Sequence, residues 1–268
     1  MQSKDHWERV YKTKAIDAVS WYQQHAQLSM RLIRDTGVAV SVSIIDVGGG
    51  ASVLVDELLA AGYSKLTVLD LSGAAIGAAQ KRLGALAGRV QWLEADITTV
   101  ELPAQHYDVW HDRAVFHFLT APQQRAAYVR ALTRAVRPGG HVIIATFAED
   151  GPTQCSGLPV VRYRPDQLHL ELGDGFELVS HAVEEHHTPF GTMQKFVYCL
   201  FRLSASGAGR SGSVTVTGHG NSRPPGGRSA LGRKPAGHHR SHGDDCHYQQ
   251  ALGYQRTPQQ PRRRRFSR

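Results

Sequence analysis

The sequence lacks the features that mark several large protein classes. It has no run of about 18 apolar residues, so a membrane span is not expected. Its charged opening, MQSKDHWERVYKTK, has no apolar stretch of the kind that secretory signals carry. The three cysteines, Cys155, Cys199 and Cys246, form no C-x-x-C pair, which argues against structural zinc and a disulfide framework. The default prediction is a cytoplasmic protein without a metal.

The chain also has little excess charge outside its last 65 residues. Residues 204–268 contain eleven Arg and one Lys against two Asp, a net charge of +10. Because the whole chain has a formal net charge of +8, residues 1–203 have a net charge of −2. Binding of nucleic acid, if inferred from the total charge, would therefore concern the tail and not the remainder of the chain.

The composition of residues 204–268 predicts a disordered basic tail. This segment has eleven Gly, five Pro and almost no apolar periodicity, so it buries too little surface to offset the entropy of ordering. Its RRRR run is compatible with nucleic-acid binding, but a solvated tail is the favoured interpretation. The abrupt change of composition also fits out-of-frame translation of GC-rich DNA.

Strand and helix patterns alternate along residues 28–203. Short apolar segments predict five buried strands: SVSIIDVG, KLTVLDLS, VQWLEADI, YDVWHD and HVIIATF. Helical spacing predicts three connecting helices, in SVLVDELLAAG with a stop at Gly62, in GAAIGAAQKRLGALAG and in APQQRAAYVRALTRAVRPGG. This alternation indicates a parallel sheet with helices on both faces. FELVSHAVEEHHT and KFVYCLFRL predict a closing antiparallel hairpin.

A glycine-rich turn, in IIDVGGGASVL, joins the first strand to the first helix. Glycines let the backbone pass close to a ligand, and the helix N-terminus offers free N–H groups. The dinucleotide pattern G-x-G-x-x-G/A would use Gly48 and Gly50 but puts Val53 where a small residue is needed. The other pattern is acid-x-Gly-x-Gly, used for S-adenosylmethionine, in which Asp46 helps to hold the amino acid end of the cofactor.

Two further acids follow the next two strands. Asp70 ends the second strand, where a carboxylate accepts both hydroxyls of a ribose, as it also does for NAD. Asp96 and Ile97 end the third strand, where a carboxylate and an apolar neighbour suit an adenine. Each acid alone is more often a turn or cap residue. Three acids at one sheet edge together predict a site for S-adenosyl-L-methionine.

Five segments, IIDVGGG, LDLS, EADI, YDVW and AVRPGGHVIIATF, resemble in this order the motifs of class I S-adenosylmethionine-dependent methyltransferases. The resemblance covers roughly residues 28–203, with Ser52 where many members have a third glycine. It implies a Rossmann-like α/β fold whose seven-stranded, mostly parallel sheet has the order 3-2-1-4-5-7-6, with strand 7 antiparallel. The cofactor-binding residues that it implies are Asp46, Gly48, Gly50, Asp70, Leu71, Asp96, Ile97 and His111.

The segment HWERVYKTKAIDAVSWY, within residues 1–27, is similar to the helical lid of bacterial small-molecule methyltransferases. It is also similar to the openings of some eukaryotic lysine methyltransferases that act on elongation factor. Trp21 and Tyr22 are predicted to close over the site, with plain core packing as the alternative. The leading interpretation is methyl transfer to an O, N or S nucleophile on a small molecule. The alternatives are protein lysine methylation and a non-catalytic scaffold.

The stretch YDVWHDRAVFHFLT contains the fourth strand and the turn after it, and the resemblance implies that this strand ends beside the transferred methyl group. The tentative catalytic residues are therefore His111, Asp112, Arg113 and His117. Asp112 and Arg113 either pair with each other or act as a clamp on a substrate or on the lid. His117 is either a proton acceptor or an ordinary helical histidine. The spacing of His111 and His117 does not match one helical face, so no metal site is expected.

Two later segments complete the predicted surroundings of the site. The Pro- and Gly-rich residues 147–165 predict a loop over the active site, with Cys155, Arg162 and Tyr163 as tentative substrate contacts. His186 and His187 lie on the final hairpin, where a surface turn is the default interpretation.

Overall fold

The structure, a computed structural model, describes residues 4–205. All but the first two residues of the predicted tail, 204–268, lie outside the described residues, and the disorder and frameshift hypotheses lie there with them. The six helices of the described range are α1 Lys4–Thr13, α2 Gln27–Asp35, α3 Leu54–Ala60, α4 Gly73–Leu83, α5 Pro122–Ala135 and α6 Pro165–Leu172. Short 3-10 turns are Ile16–Ala18, Gly84–Arg89 and Phe116–Phe118. In this part of the chain, no helix is long and apolar enough to cross a membrane.

Nine strands complete the described part of the chain. They are β1 Ser43–Val47, β2 Lys65–Asp70, β3 Val90–Glu94, β4 Tyr107–Arg113, β5 Val136–Phe147, β6 Gln154–Cys155, β7 Leu158–Pro159, β8 Phe176–His187 and β9 Met193–Leu203. Seven of them form one sheet in the order β3-β2-β1-β4-β5-β9-β8, in which β9 is antiparallel to both neighbours. With the two-residue strands β6 and β7 set apart, this is the predicted order 3-2-1-4-5-7-6. The fold prediction is confirmed.

Apolar layers cover both faces of the sheet. Along β5, Val142 and Ile144 pack in the layer that contains α5 and α6, whereas Ile143 and Ala145 pack in the layer of α2 and α3. Successive strand residues point to opposite faces, so a strand that is covered on both sides is apolar at every position. With both faces closed, a ligand has access only at the strand ends. The strand order reverses between β1 and β4, which opens a crevice at their carboxyl ends.

The sequence analysis missed two helices and a small hairpin. Helix α2 has the sequence QLSMRLIRD, whose polar residues make its apolar face hard to recognise. On that face, Met30 and Ile33 are buried against α3. In α6, Leu168 and Leu172 are the buried i, i+4 pair of a helix that begins at Pro165. Both helices are too short for their periodicity to stand out. The loop predicted at 147–165 is largely irregular but contains the β6–β7 hairpin.

Strand β4 is anchored from behind by a buried polar network. Tyr128 on α5 donates its hydroxyl to Asp112 Oδ2 at 2.6 Å and accepts from Trp110 Nε1 at 2.8 Å. Asp112 also accepts the backbone N–H groups of Val115 at 2.9 Å and Phe116 at 3.1 Å. Burial raises the pKa of Asp112 to about 6 although these donors oppose the rise. The network fixes the turn that leaves β4 at the crevice.

Removing the Tyr128 hydroxyl should therefore destabilise the fold. Tyr128→Phe leaves the Trp110 N–H buried without a partner, at a cost of about 1–3 kcal/mol. It also removes one of the two donors to Asp112 Oδ2, which keeps the Phe116 N–H. We expect a loss of free energy of unfolding of at least about 1 kcal/mol in urea denaturation. The control is Tyr163→Phe, because the Tyr163 hydroxyl is buried without a hydrogen bond in the described structure. Equal stability of the two variants would contradict the prediction.

Candidate functional site

Two adjoining cavities lie at the carboxyl ends of the parallel strands. The first encloses about 880 Å³ including its mouth and reaches β2 and β3, and the second encloses about 580 Å³ and lies against β1 and α2. Tyr11, Trp21, Gly48 and Arg113 line both. The cavities therefore form one continuous site, with the turn after β1 on one side and the N-terminal segment on the other.

The first cavity contains two of the predicted acids with their apolar neighbours, Leu71 and Ile97. Asp70 is buried, and its Oδ1 accepts the backbone N–H of Ser72 at 2.8 Å. Burial raises the pKa of Asp70 to about 7, because the backbone N–H groups around it offset only part of the cost of desolvation. Asp96 Oδ1 accepts the backbone N–H and the hydroxyl of Thr98 at 2.8 and 2.7 Å. Both acids thus shape turns and also face the cavity.

The second cavity contains the third predicted acid. Asp46 Oδ1 accepts a hydrogen bond from His111 Nδ1 at 2.7 Å, and His111 Nε2 lies 2.9 Å from Ser29 Oγ. Asp46 Oδ2 is buried and has no hydrogen-bond partner among the described residues. A buried carboxylate oxygen without a donor is costly, and an ammonium group in the cavity would satisfy it. The site therefore fits a ligand with an amino acid end.

The glycine turn brings the backbone close to these acids. A Cβ built on Gly50 would lie 2.6 Å from Ala75 Cβ and 2.9 Å from Asp70 Cγ, so no larger residue fits without displacing the carboxylate. Gly48 has a φ of +71°, a left-handed conformation that favours glycine. The turn is therefore the close-packed floor between the two cavities, as the glycine pattern predicted.

The N-terminal segment lies over the site and is bound to the start of α4. Glu8 Oε1 accepts hydrogen bonds from Ser72 Oγ and from the Ala74 N–H, both at 3.0 Å. Lys12 pairs with Glu8 at 2.9 Å, and this ion pair and the Ala74 N–H lower the pKa of Glu8 to about 2. Lys4 adds an ion pair with Glu94. A carboxylate at a helix N-terminus is favourable, so Glu8 holds α1 in place over the first cavity.

Arg113 binds the other end of the same segment. Its guanidinium donates to the Trp21 carbonyl at 3.0 Å, to the Tyr198 hydroxyl at 2.7 Å and to Glu184 Oε2 at 3.3 Å. It also lies 4.4 Å from the ring centre of Phe196. Of the two interpretations of Arg113, pairing with Asp112 is wrong, because neighbouring strand residues point to opposite faces. Arg113 instead connects β4 and the closing hairpin to the N-terminal segment.

Two of the tentative catalytic residues lie away from both cavities. Asp112 is buried in the Tyr128 network. His117 is also buried, and its Nδ1 accepts the Phe147 N–H at 3.2 Å while Nε2 has no partner within residues 4–205. Burial and, less strongly, Arg113 lower the pKa of His117 to about 3, so its ring is neutral. The geometry supports structural positions for both residues.

Of the tentative substrate contacts, some line the cavities and others lie away from them. Trp21 lines both cavities and Tyr22 lines the second. Arg162 is exposed and donates to the Gly151 carbonyl at 3.3 Å. Tyr163 is buried beside Phe116, with their ring centres 5.6 Å apart. The structure therefore brings the two N-terminal aromatics to the site but not Arg162 and Tyr163, because the chain after β7 turns away toward α6.

The sequence analysis missed several residues of the site, and one interpretation needs correction. His186 is buried, and its Nε2 donates to the Ser20 carbonyl at 2.7 Å, so a surface turn is wrong for this residue. Ser29, Glu8, Tyr11 and Glu184 were not singled out. No local pattern marks them, since Ser29 and His111 are 82 residues apart and Glu8 and Ser72 are 64 apart. Between residues 4 and 205, no group of three or more His, Cys, Asp or Glu is arranged to hold a metal ion.

The fold and the cavities define a Rossmann-like α/β class of protein with a site suited to a nucleoside that carries an amino acid end. The family model described as "methyltransferase domain" matches residues 44–140. This match and the fold support the predicted class I S-adenosylmethionine-dependent methyltransferase family. The predictions of the family and of its cofactor are thereby confirmed.

Relatives of known name are similar to parts of the chain. It is 23% identical over 141 residues to the mouse eEF1A lysine and N-terminal methyltransferase, covering 53% of this chain and 20% of that protein. It is 31% identical over 114 residues to the ubiquinone biosynthesis O-methyltransferase of Aromatoleum aromaticum, covering 42% of this chain and 47% of that protein. The chain thus spans about a fifth and about half of the length of these two relatives.

A solved structure confirms the fold. The 1,6-didemethyltoxoflavin-N1-methyltransferase of Burkholderia thailandensis, solved with 1,6-didemethyltoxoflavin and S-adenosylhomocysteine bound, superposes with a TM-score of 0.56. The match covers 75% of this chain and 87% of that one at 18% identity.

The crowding at Gly50 gives a test of the site. Gly50→Ala should lower the affinity for S-adenosylhomocysteine at least about tenfold, because the added methyl displaces the Asp70 carboxylate, and a charge-assisted hydrogen bond contributes roughly 1.5–3 kcal/mol. The matched control is Gly77→Ala on α4, where a Cβ meets no atom within 4 Å. This change should keep the affinity and raise stability by up to about 1 kcal/mol. Calorimetry measures both, and unchanged binding by Gly50→Ala would contradict the assignment.

Proposed function

We propose that the protein transfers a methyl group from S-adenosylmethionine to an O, N or S nucleophile on a small molecule. The observation that carries this proposal is the buried, unpartnered Oδ2 of Asp46 beside the cavity that contains Asp70 and Asp96. One cavity suits the amino acid end of the cofactor and the other suits its ribose and adenine. The bound cofactor supplies an activated methyl group, so the protein has only to bind, orient and exclude water.

Each part of the cofactor is assigned to a residue of the lining. Asp46 would hold the ammonium group, Asp70 would accept the ribose hydroxyls, and Asp96 with Ile97 would bind the adenine. The backbone at Gly48 and Gly50 forms the floor between the two halves. Catalysis then depends on holding the reactants close together in the right orientation and on excluding water. No side chain of the protein needs to form a covalent bond.

Apart from the three carboxylates assigned to the cofactor, we assign no general base to the described lining of the cavities. His111 is hydrogen-bonded at both ring nitrogens. Burial raises the pKa of Cys155 to about 11 and the pKa of Tyr11 well above its ordinary value, so both stay protonated at neutral pH. An acceptor that brings its own lone pair, without proton removal by the protein, fits this site.

Enclosure by the N-terminal segment favours a small acceptor. Trp7 and Trp21 pack edge to face with ring centres 5.6 Å apart, and Trp7 packs in the same way on Phe118 at 5.2 Å. These rings line the first cavity together with Tyr11, so its outer wall is apolar and aromatic. We infer that segment 1–27 acts as the lid of the domain at 28–203 and that a compact, largely apolar molecule enters beneath it.

A protein lysine is the second candidate acceptor, favoured by the name of the mouse relative. Against it stands the charge of the lining, because the shared cation Arg113 is balanced by Glu184 and no carboxylate of the described lining is left for a lysine ammonium group. The three carboxylates of the lining are those assigned to the cofactor. The cytoplasmic location and a role of the tail in binding nucleic acid both remain predictions.

Labelled cofactor tests the acceptor class. The protein is incubated with methyl-labelled S-adenosylmethionine and cell extract, with and without protease treatment of the extract. We expect the label in a small-molecule fraction that protease does not affect. Label in a protease-sensitive protein band would support the lysine alternative. Binding of S-adenosylhomocysteine without any transfer of label would support the non-catalytic scaffold.

Affinity for S-adenosylhomocysteine should depend on pH through Asp70. Ribose hydroxyls donate to the ionised carboxylate, but the raised pKa of about 7 keeps Asp70 protonated at lower pH, so binding must release this proton. Affinity should therefore rise from pH 6 to pH 8, by up to about tenfold per unit below the pKa. Calorimetry in buffers of different ionisation enthalpy measures the number of protons released when the ligand binds. Asp70→Asn should abolish the pH dependence, whereas Asp96→Asn, in the same cavity, should retain it; a slope that survives in Asp70→Asn would overturn the assignment.

A further inference from the structure

Three buried side chains form a hydrogen-bonded chain behind the second cavity. Ser29 lies on α2, His111 on β4 and Asp46 on β1, and their exposed fractions are 1%, 2% and 4%. The bonds run from Ser29 Oγ to His111 Nε2 at 2.9 Å and from His111 Nδ1 to Asp46 Oδ1 at 2.7 Å. Asp46 and His111 are assigned to the cofactor, but nothing so far gives Ser29 a role.

The chemistry of the three groups sets the direction of both bonds. A carboxylate oxygen accepts, so His111 Nδ1 carries a proton that points to Asp46. In a ring with that one proton, Nε2 is an acceptor, and the hydroxyl of Ser29 donates to it. In the described part of the chain, Ser29 Oγ has no other hydrogen-bond partner. Ser29 therefore selects the tautomer in which His111 donates to Asp46.

This direction determines which oxygen of Asp46 is left for a ligand. His111 occupies Oδ1, which fixes the rotation of the carboxylate and leaves Oδ2 buried and unpartnered. Gly49 leaves room for this arrangement, because a Cβ there would lie 2.6 Å from Asp46 Cγ. In the opposite tautomer Nδ1 would be an acceptor facing an acceptor, and the carboxylate would turn away.

We propose that Ser29 is a positioning residue that acts through His111 to direct Asp46 Oδ2 at the amino group of the cofactor. This inference rests on the proposed function, since it assigns a target to the free oxygen. Ser29 does not touch the reacting atoms. Its effect should be confined to ligands that carry the amino acid end, and this distinguishes a positioning role from a general contribution to the fold.

Two ligands separate these roles. S-adenosylhomocysteine carries the amino acid end, whereas methylthioadenosine has the same nucleoside without it. Ser29→Ala should weaken binding of the first about three- to tenfold, the range expected for one neutral hydrogen bond, and change binding of the second less than about twofold. The control is Thr146→Val, which removes another buried hydroxyl, one without a partner in the described structure. It should alter neither affinity.

The tautomer of His111 gives a measurement that needs no variant. Nitrogen-15 chemical shifts of the wild-type ring should show a protonated Nδ1 and an accepting Nε2, and Ser29→Ala should give a mixture of tautomers. A wild-type proton on Nε2 would overturn the proposal, as would equal losses of affinity for both ligands or no loss for either. Labelling of Ser29 by a fluorophosphonate would identify a nucleophile instead. Failure of the wild-type protein to bind S-adenosylhomocysteine would overturn the proposed function as well.

Discussion

The parallel register of β1 and β4 is the constraint on which the site depends. It pairs Asp46 directly with His111, at the point where the strand order reverses. Neighbouring strands lie about 4.8 Å apart, so side chains at paired positions are within hydrogen-bond reach. A slip by one residue would turn every β4 side chain to the other face of the sheet. The Tyr128 network behind β4 then holds that register, since it fixes Asp112 while His111 and Arg113 face the site.

The N-terminal segment turns an open crevice into an enclosed site. It is bound at two distant places, by Glu8 at the start of α4 and by Arg113 and His186 at the closing hairpin. Each contact uses backbone groups of irregular segments or helix ends, which have no partner within their own element. The same contacts that hold the N-terminal segment also place aromatic rings over the cavities, so the enclosure of the site and its apolar lining have one origin.

Carboxylates and a cation are spaced along the wall of the site. Asp46 lies in one cavity and Asp70 and Asp96 lie in the other, whereas Arg113 lines both. Burial keeps Tyr11 and Cys155 protonated at neutral pH. An arrangement of this kind binds and desolvates more than it moves protons. It therefore suits an electrophile that is already activated.

The sequence by itself determined the strands and the three acids that follow them, because apolar periodicity and strand-end glycines are local signals tied to backbone geometry. The strand order was implied by the resemblance to the methyltransferase family. It could not separate the roles of the residues in HDRAVFHF. In the structure, Asp112 and His117 are buried and hydrogen-bonded away from the cavities, whereas Arg113 binds the N-terminal segment. It did not mark Ser29 or Glu8 and misassigned His186, and the partners of these three residues are 64 to 166 residues away. Only the tertiary structure decided these roles, because a polar side chain acquires its function from the partner that folding brings within about 3 Å, and such pairs leave no periodic trace along the chain.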